Sequence, residues 1–200
     1  MANNIDRLNT HHIILASGSP RRHELLSQLD LTFSVERIDV EEVFPKDMAT
    51  ERVAEFLSQQ KMAAFPKEKI KANTIIITAD TIVTIGQQVL GKAKNHQEAF
   101  EMLKKLSGKT HDVITGVSIK SLKRELSFSS KTRVKFKSLT NDEINYYIEH
   151  YQPFDKAGSY GIQEWIGKVG VEWIEGSFYN VMGLPIQKLY HELCKFVEDK

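Results

Sequence analysis

The sequence predicts an α/β protein with a mixed sheet, on three observations. Short apolar and β-branched runs alternate with amphipathic helical stretches along the chain. One of them, Thr74–Thr78, is the dense β-branched run expected of a buried strand. The middle of the chain offers three strand candidates in succession, which indicates antiparallel pairing in an otherwise parallel-type arrangement.

Taken in order, Ile13–Ala16 reads as a short buried strand and Arg21–Leu29 as a helix with Leu25, Leu26 and Leu29 on one face. Leu31–Ile38 alternates in the manner of a strand. Thr50–Phe65 is a helix that sets Val53, Phe56, Leu57 and Ala64 near one stripe, with Thr50 as its N-cap and Pro66 as its stop. After Thr74–Thr78 and Asp80, the extended run resumes over Ile82–Ile85, and Gly86 with Gln87 suggests a turn before Val89 and Leu90. Asn95–Leu106 is a second clear helix, ended by Gly108. The three central strand candidates are Asp112–Ile119, Glu125–Ser130 and Lys131–Phe136, with loops at Lys120–Arg124 and near Ser130. Asn141–Glu149 is a helix capped by Thr140 or Asn141, Gly158–Gly183 reads as loops and short strands, and Leu184–Val197 closes the chain as a helix with Pro185 in its first turn. No repeat or low-complexity linker divides the 200 residues. One domain is expected, with two lobes around a central cleft as a variant of it.

Composition narrows the functional classes. Lys and Arg number 27 against 26 Asp and Glu, a formal charge of +1, so no global excess of positive charge argues for a nucleic-acid partner. The single cysteine, Cys194, allows no disulfide framework, and the scattered histidines form no HxH or HxxxH pair suited to zinc. His11 and His12 belong to a polar stretch expected to be disordered. The longest apolar runs are far too short to span a bilayer, and "MANNIDRLNTHH" is no secretory signal. A cytoplasmic setting without membrane attachment is the expectation. The chain lacks GxxxxGK[ST], GxGxxG and GxSxG, which removes the P-loop, dinucleotide-binding and serine-hydrolase readings.

Three stretches carry candidate chemistry. In "ASGSPRR" a strand gives way to a helix whose free backbone N–H groups and dipole favour an anion. Ser17 adds a hydroxyl donor, Pro20 suits the first turn, and Arg21 and Arg22 add fork-shaped cations matched to phosphate oxygens. Serine caps are common and the arginines could simply be solvated. Two cations at the positive end of a helix dipole nevertheless gain most when an anion binds there. In "TIIITADTIV", Asp80 follows a buried run, which places a carboxylate at a strand's carboxyl end where α/β sheets build their sites. It could be a plain turn aspartate. Opposite a phosphate cradle it could hold a divalent cation or orient water. Glu41, Glu42, Lys61 and Lys92 are further charges that could complete such a site or lie on the surface. In "FDKAGSYGIQ", Gln163 offers a donor and an acceptor to a base edge, Lys156 offers a cation, and the glycines suggest a tight loop.

At this point the sequence resembles the Maf family. "LASGSPRR", "TADTIV", "LGKAK", "LSGKTHDVITGV", "DKAGSYGIQ" and "GSFYNVMGLP" recur there in this order, from about Ile13 to the last helix. The resemblance implies an elongated mixed-sheet fold flanked by helices, shared with the inosine triphosphate pyrophosphatases, commonly as a homodimer. It implies hydrolysis of a nucleoside triphosphate to monophosphate and pyrophosphate with Mg²⁺ or Mn²⁺. "ADT" followed by "YGIQ" is similar to the branch acting on dTTP and UTP. Hydrolysis of 7-methyl-GTP is the alternative enzyme, and a non-enzymatic nucleotide-binding or nucleic-acid-binding regulator of septum formation is the alternative of another class. Carried over, Asp80 takes the place of the proton acceptor. Arg21, Thr81 and Gln163 take positions tied to substrate choice. Ser17, Arg22, Lys61, Lys92 and Lys156 line the phosphate pocket, and Glu42 joins Asp80 as metal ligand. Two departures stand out: Ala93 follows Lys92 where proline is usual, and Gln163–Ile174 carries two tryptophans and a lysine in a variable stretch.

Overall fold

The computed structural model describes residues 3–198. Its strands are β1 (His12–Ala16), β2 (Phe33–Glu36), β3 (Thr74–Ile85), β4 (Gln88–Leu90), β5 (Thr110–Lys120), β6 (Glu125–Phe136) and β7 (Val171–Glu175). They form a mixed sheet of seven strands in the order β2-β1-β3-β5-β6-β7, with β4 paired to β3. β1 runs parallel to β2 and β3, whereas β4 is antiparallel to β3 and β7 antiparallel to β6. The helices are α1 (Asn4–Leu8), α2 (Pro20–Ser27), α3 (Thr50–Ala63), α4 (His96–Leu106), α5 (Asn141–Tyr151), α6 (Trp165–Gly170), α7 (Phe178–Met182) and α8 (Ile186–Glu198). None is long and apolar enough to cross a membrane, among the described residues.

The chain divides into two compact units. Among the described residues, unit 1 holds 3–80, 115–130 and 183–198, and unit 2 holds 81–114 and 131–182. In unit 1, a cluster of Ile14, Ala16, Met62, Phe65 and Ile76 packs without solvent. Unit 2 has its own core, including Val83, Leu103, Val134, Phe136, Ile144 and Tyr147. Each Val, Leu, Ile, Phe or Met among them contributes about 1.5–3 kcal/mol by leaving water.

Several elements differ from the sequence reading for identifiable reasons. β3 does not break at Asp80 but runs on to Ile85, because the buried carboxylate finds cationic partners (below). β6 is likewise one strand of 12 residues, without the loop expected near Ser130. No Gly, Pro or Asn offers a turn there, and Phe128, Thr132, Val134 and Phe136 keep the period-two burial of a continuing strand. The stretch before β1 is ordered: Asn3 and Asp6 form a capping box on α1, and His12 opens β1. Gly158–Gly183 contains two helices, α6 and α7, that its glycines concealed. α2 ends at Ser27, so Leu25 and Leu26 are buried while Leu29 lies past the helix, half-buried. Thr50 is the first residue of α3 and not its cap; Ala49 holds that position and no side chain bonds to it. Phe56 is only half-buried and Ala64 exposed, the stripe falling on Val53, Ala54, Leu57, Ser58 and Met62. Thr140, by contrast, caps α5 in a full capping box with Glu143.

Helix α3 approaches the sheet of unit 1 closely. A Cβ at Gly116 of β5 would come within 2.2 Å of the Ala54 carbonyl oxygen, so only glycine fits. Thr78 of β3 donates its hydroxyl to the Ser58 carbonyl (2.7 Å), and Ser58 Oγ meets Ser118 Oγ at 2.8 Å. These buried contacts fix the helix that carries Lys61.

Candidate functional site

In unit 1 the site begins where β1 stops. The last β1–β3 pair is Leu15 with Ile77, after which β3 continues without this neighbour. A strand carbonyl left without a ladder partner is costly when buried. Arg22 supplies the missing donor: its Nη1 donates to the Ala79 carbonyl at 2.7 Å and its Nε to the Gly183 carbonyl at 2.8 Å. Burial lowers the Arg22 pKa from its usual value, and the negative charge of Asp80 opposes that shift. Arg22 is therefore a fixed cation built into the scaffold, a use that the sequence reading did not foresee. The serines before α2 do not cap it. Ser19 occupies the cap position without a side-chain cap bond, and Ser17 Oγ accepts from the Ser19 N–H at 3.2 Å. Arg21 follows Pro20 in the first turn, half-buried.

Asp80 is 4% exposed, and a carboxylate so placed needs compensation. Lys61, in the last turn of α3, ion-pairs with it and also reaches Glu42 Oε1 at 3.0 Å. Burial raises the Asp80 pKa above the ordinary carboxylate value, while Lys61 first and Arg22 second pull it down. Glu42 lies in the irregular segment after β2, and its side chain is 37% exposed. Glu41 is exposed one residue earlier. Thr78, two residues before Asp80, spends its hydroxyl on α3.

The two carboxylates of Asp80 and Glu42 converge on one ammonium nitrogen, a donor arrangement that suits a divalent cation equally well. Among the described residues no group of three or more His, Cys, Asp or Glu is disposed around a metal. A hard cation held here would accordingly take two protein carboxylates and complete its shell with water and phosphate oxygens, as Mg²⁺ commonly does.

In unit 2, Thr81 follows Asp80 on β3 and presents its side chain to the other face of the strand. The segment after β4 bridges Lys92 to Ala157, and the Gly158 N–H donates to the Gly91 carbonyl at 3.0 Å. Lys92 and the 155–164 loop are thus held together. Lys156 is buried and pairs with Asp155 Oδ1 (2.8 Å) and Glu164 Oε1 (3.1 Å), so two of its three donors are used within the loop. Gln163 Oε1 is buried with no hydrogen-bond partner. The residues that brace this loop, Tyr147 and Glu164, were not singled out from the sequence. Tyr147 shares a helical stripe with Ile144 and Ile148, and a hydroxyl on an apolar stripe is a signal that a buried partner must exist. In "GSFYNVMGLP", Asn180 is fully buried and donates to the Val113 carbonyl (3.1 Å) and Thr132 Oγ1 (3.0 Å), which makes that motif in part structural.

Comparison with known proteins adds a consistent picture. The family model described as "Maf-like protein" matches residues 12–196. A dTTP/UTP pyrophosphatase of Bacteroides thetaiotaomicron is 48% identical over 192 residues, covering 96% of this chain and 99% of that protein. One from Bacteroides fragilis is 50% identical over 194 residues, covering 96% and 98%. One from Porphyromonas gingivalis is 47% identical over 196 residues, covering 97% and 98%. Among solved structures, the Staphylococcus aureus Ham1 protein aligns with a TM-score of 0.43 at 16% identity, over 62% of this chain and 71% of that one.

Proposed function

The chain belongs to the Maf family, and on that premise we propose that it is a nucleoside triphosphate pyrophosphatase that hydrolyses dTTP and UTP to the monophosphate and pyrophosphate. The observation that carries the reading is the buried Asp80 between the cations Lys61 and Arg22, with Glu42 on the same ammonium.

The reaction asks little covalent chemistry of the protein. Water attacks the α-phosphorus, the bond from that phosphorus to the bridging oxygen breaks, and pyrophosphate leaves. Positioning and charge neutralisation carry most of the acceleration. Asp80 orients the water and accepts its proton. Ser17, Arg21 and Lys61 donate to phosphate oxygens, and Arg22 holds the β3 backbone at Ala79 while adding positive potential behind Asp80. Glu42 and Asp80 would hold Mg²⁺ or Mn²⁺, which supplies further neutralisation of phosphate charge. In unit 2, Lys92 and the remaining donor of Lys156 serve the substrate's anionic groups, Thr81 contributes to substrate choice, and Gln163 reads the base. Its unpartnered acceptor oxygen suits the N3–H of uracil or thymine, which cytosine lacks. The same reading places the protein in the cytoplasm as a homodimer, and sedimentation of the purified chain tests the latter.

The deciding experiment gives the purified protein Mg²⁺ or Mn²⁺ with a panel of canonical and methylated nucleoside triphosphates, and scores monophosphate, pyrophosphate and orthophosphate separately. Preferred conversion of dTTP and UTP to monophosphate plus pyrophosphate is expected. Asp80→Asn should lower kcat by about 10²–10⁴-fold, the usual worth of a positioned base. Orthophosphate release, faster turnover of 7-methyl-GTP, or full activity in Asp80→Asn overturns the assignment.

A further inference from the structure

Gln163 occupies a tight turn whose two flanking residues are both held by one buried side chain. The Glu164 N–H donates to the Gly161 carbonyl at 3.0 Å, closing a four-residue turn with Ile162 and Gln163 at its centre. At the first corner, the Gly161 N–H donates to Tyr147 Oη at 3.0 Å. At the last, the Tyr147 hydroxyl donates to Glu164 Oε2, while Glu164 Oε1 takes the Lys156 ammonium at 3.1 Å. Tyr147 is fully buried, and burial first, then Glu164, pushes its pKa up, so the hydroxyl keeps its proton as a donor. The glycine belongs to the same device. A Cβ on Gly161 would lie 2.7 Å from the Glu164 carboxylate carbon, so any other residue would displace that carboxylate.

These bonds fix the backbone turn that carries Gln163 and do not end on its amide. A buried acceptor without a partner costs about 1–3 kcal/mol, and Gln163 Oε1 is such an acceptor at the centre of the turn. We propose that Tyr147 and Glu164 are positioning residues that set the Gln163 amide for the nucleobase, and so determine which base is accepted. The inference rests on the assignment of Gln163 as the base reader. It also gives the Lys156–Glu164 ion pair a purpose: the pair ties the two ends of the 156–164 loop, so the turn is held from its ends as well as from beneath.

The test compares wild type, Tyr147→Phe, Glu164→Gln and the double variant, measuring kcat/KM for UTP and for CTP, inhibition by inorganic pyrophosphate, and the melting temperature. Loss of one neutral or charged hydrogen bond in this network should shrink the UTP-to-CTP ratio about tenfold, the equivalent of about 1.4 kcal/mol. In Tyr147→Phe pyrophosphate inhibition should stay within about twofold, because that change touches no phosphate-binding group, whereas Glu164→Gln also removes the partner charge of Lys156 and is judged on the UTP-to-CTP ratio alone. The double variant should be no worse than the worse single one, since both changes open one network. A lowered melting temperature with an unchanged ratio in Glu164→Gln overturns the inference, even if Tyr147→Phe fails to fold. Equal losses for UTP, CTP and pyrophosphate binding also overturn it. Failure of the parent reading looks different: wild type then hydrolyses no nucleoside triphosphate, or shows no preference for UTP over CTP, and the inference falls with it.

Discussion

The two units solve the problem of a buried polar group in opposite ways. Unit 1 buries charge against charge: Asp80 is compensated by Lys61 and Arg22, and Arg22 doubles as the ladder partner of Ala79. Unit 2 buries a hydrogen-bonded turn, braced by Tyr147 and Glu164, and leaves one amide oxygen of Gln163 unmatched. The first arrangement generates strong local potential and tolerates many anionic shapes. The second spends its buried charge within the loop, Lys156 on Asp155 and Glu164, and presents a fixed donor and acceptor pattern. Charge density suits chemistry on phosphate, whereas a fixed pattern suits discrimination between bases.

The comparison breaks most readily at Lys61. If unit 1 depends on charge compensation, Lys61→Met leaves Asp80 buried opposite fewer cations and should cost about 3–5 kcal/mol, read by urea unfolding. Added Mn²⁺ should recover part of that loss through the Glu42 and Asp80 carboxylates. Destabilisation below about 1 kcal/mol would show that Asp80 relies on Arg22 instead.

Unit 2 has its own titrating group, and it sharpens the contrast. His111 is buried against Phe136 and Tyr160, with Nε2 2.7 Å from the Tyr160 hydroxyl. Burial lowers its pKa to about 4 from the ordinary 6.5, the nearby Asp112 charge opposing the shift. The folded chain then binds fewer protons at this site than the unfolded chain between those two values. Stability from His111 is therefore complete above pH 6.5 and is lost as the pH falls toward about 4, by up to about 3 kcal/mol. Unfolding free energies measured across that window should show the loss in wild type and not in His111→Phe. An equal slope in both would assign the acid sensitivity to other groups.

The smallest effect concerns two threonines that look alike in sequence. Thr140→Ala removes a capping box and should cost about 1 kcal/mol. Thr50→Ala removes no cap and should stay within about 0.5 kcal/mol, as for an ordinary surface change. Thermal unfolding of the pair distinguishes them, and equal losses would contradict the observed cap geometry.

Legibility followed the range of the interactions involved. The α4 helix was readable because its cap Asn95, its apolar stripe and its stop are neighbours in sequence. Asp80, Arg22 and Lys61 were readable as motif residues, yet their partners were not, because Lys61 and Asp80 stand 19 positions apart and Arg22 and Ala79 stand 57 apart, separations that leave no periodic trace. The continuation of β3 through Asp80 was hidden for the same reason, since a charged residue reads as a strand's end until its cations are seen. Tyr147 passed as one more member of a helical stripe, and its role depended on Glu164, 17 residues away.

By itself the sequence determined the alternation of helices and strands, the family, and the motifs whose residue types suit phosphate and base, because propensity, periodicity and motif order are local properties. Only the tertiary structure decided that Arg22 replaces a missing strand, that Lys61 joins two carboxylates, and that one tyrosine braces the turn that carries Gln163. Each of those is a buried polar contact between distant residues, and burial exists only once the chain has folded.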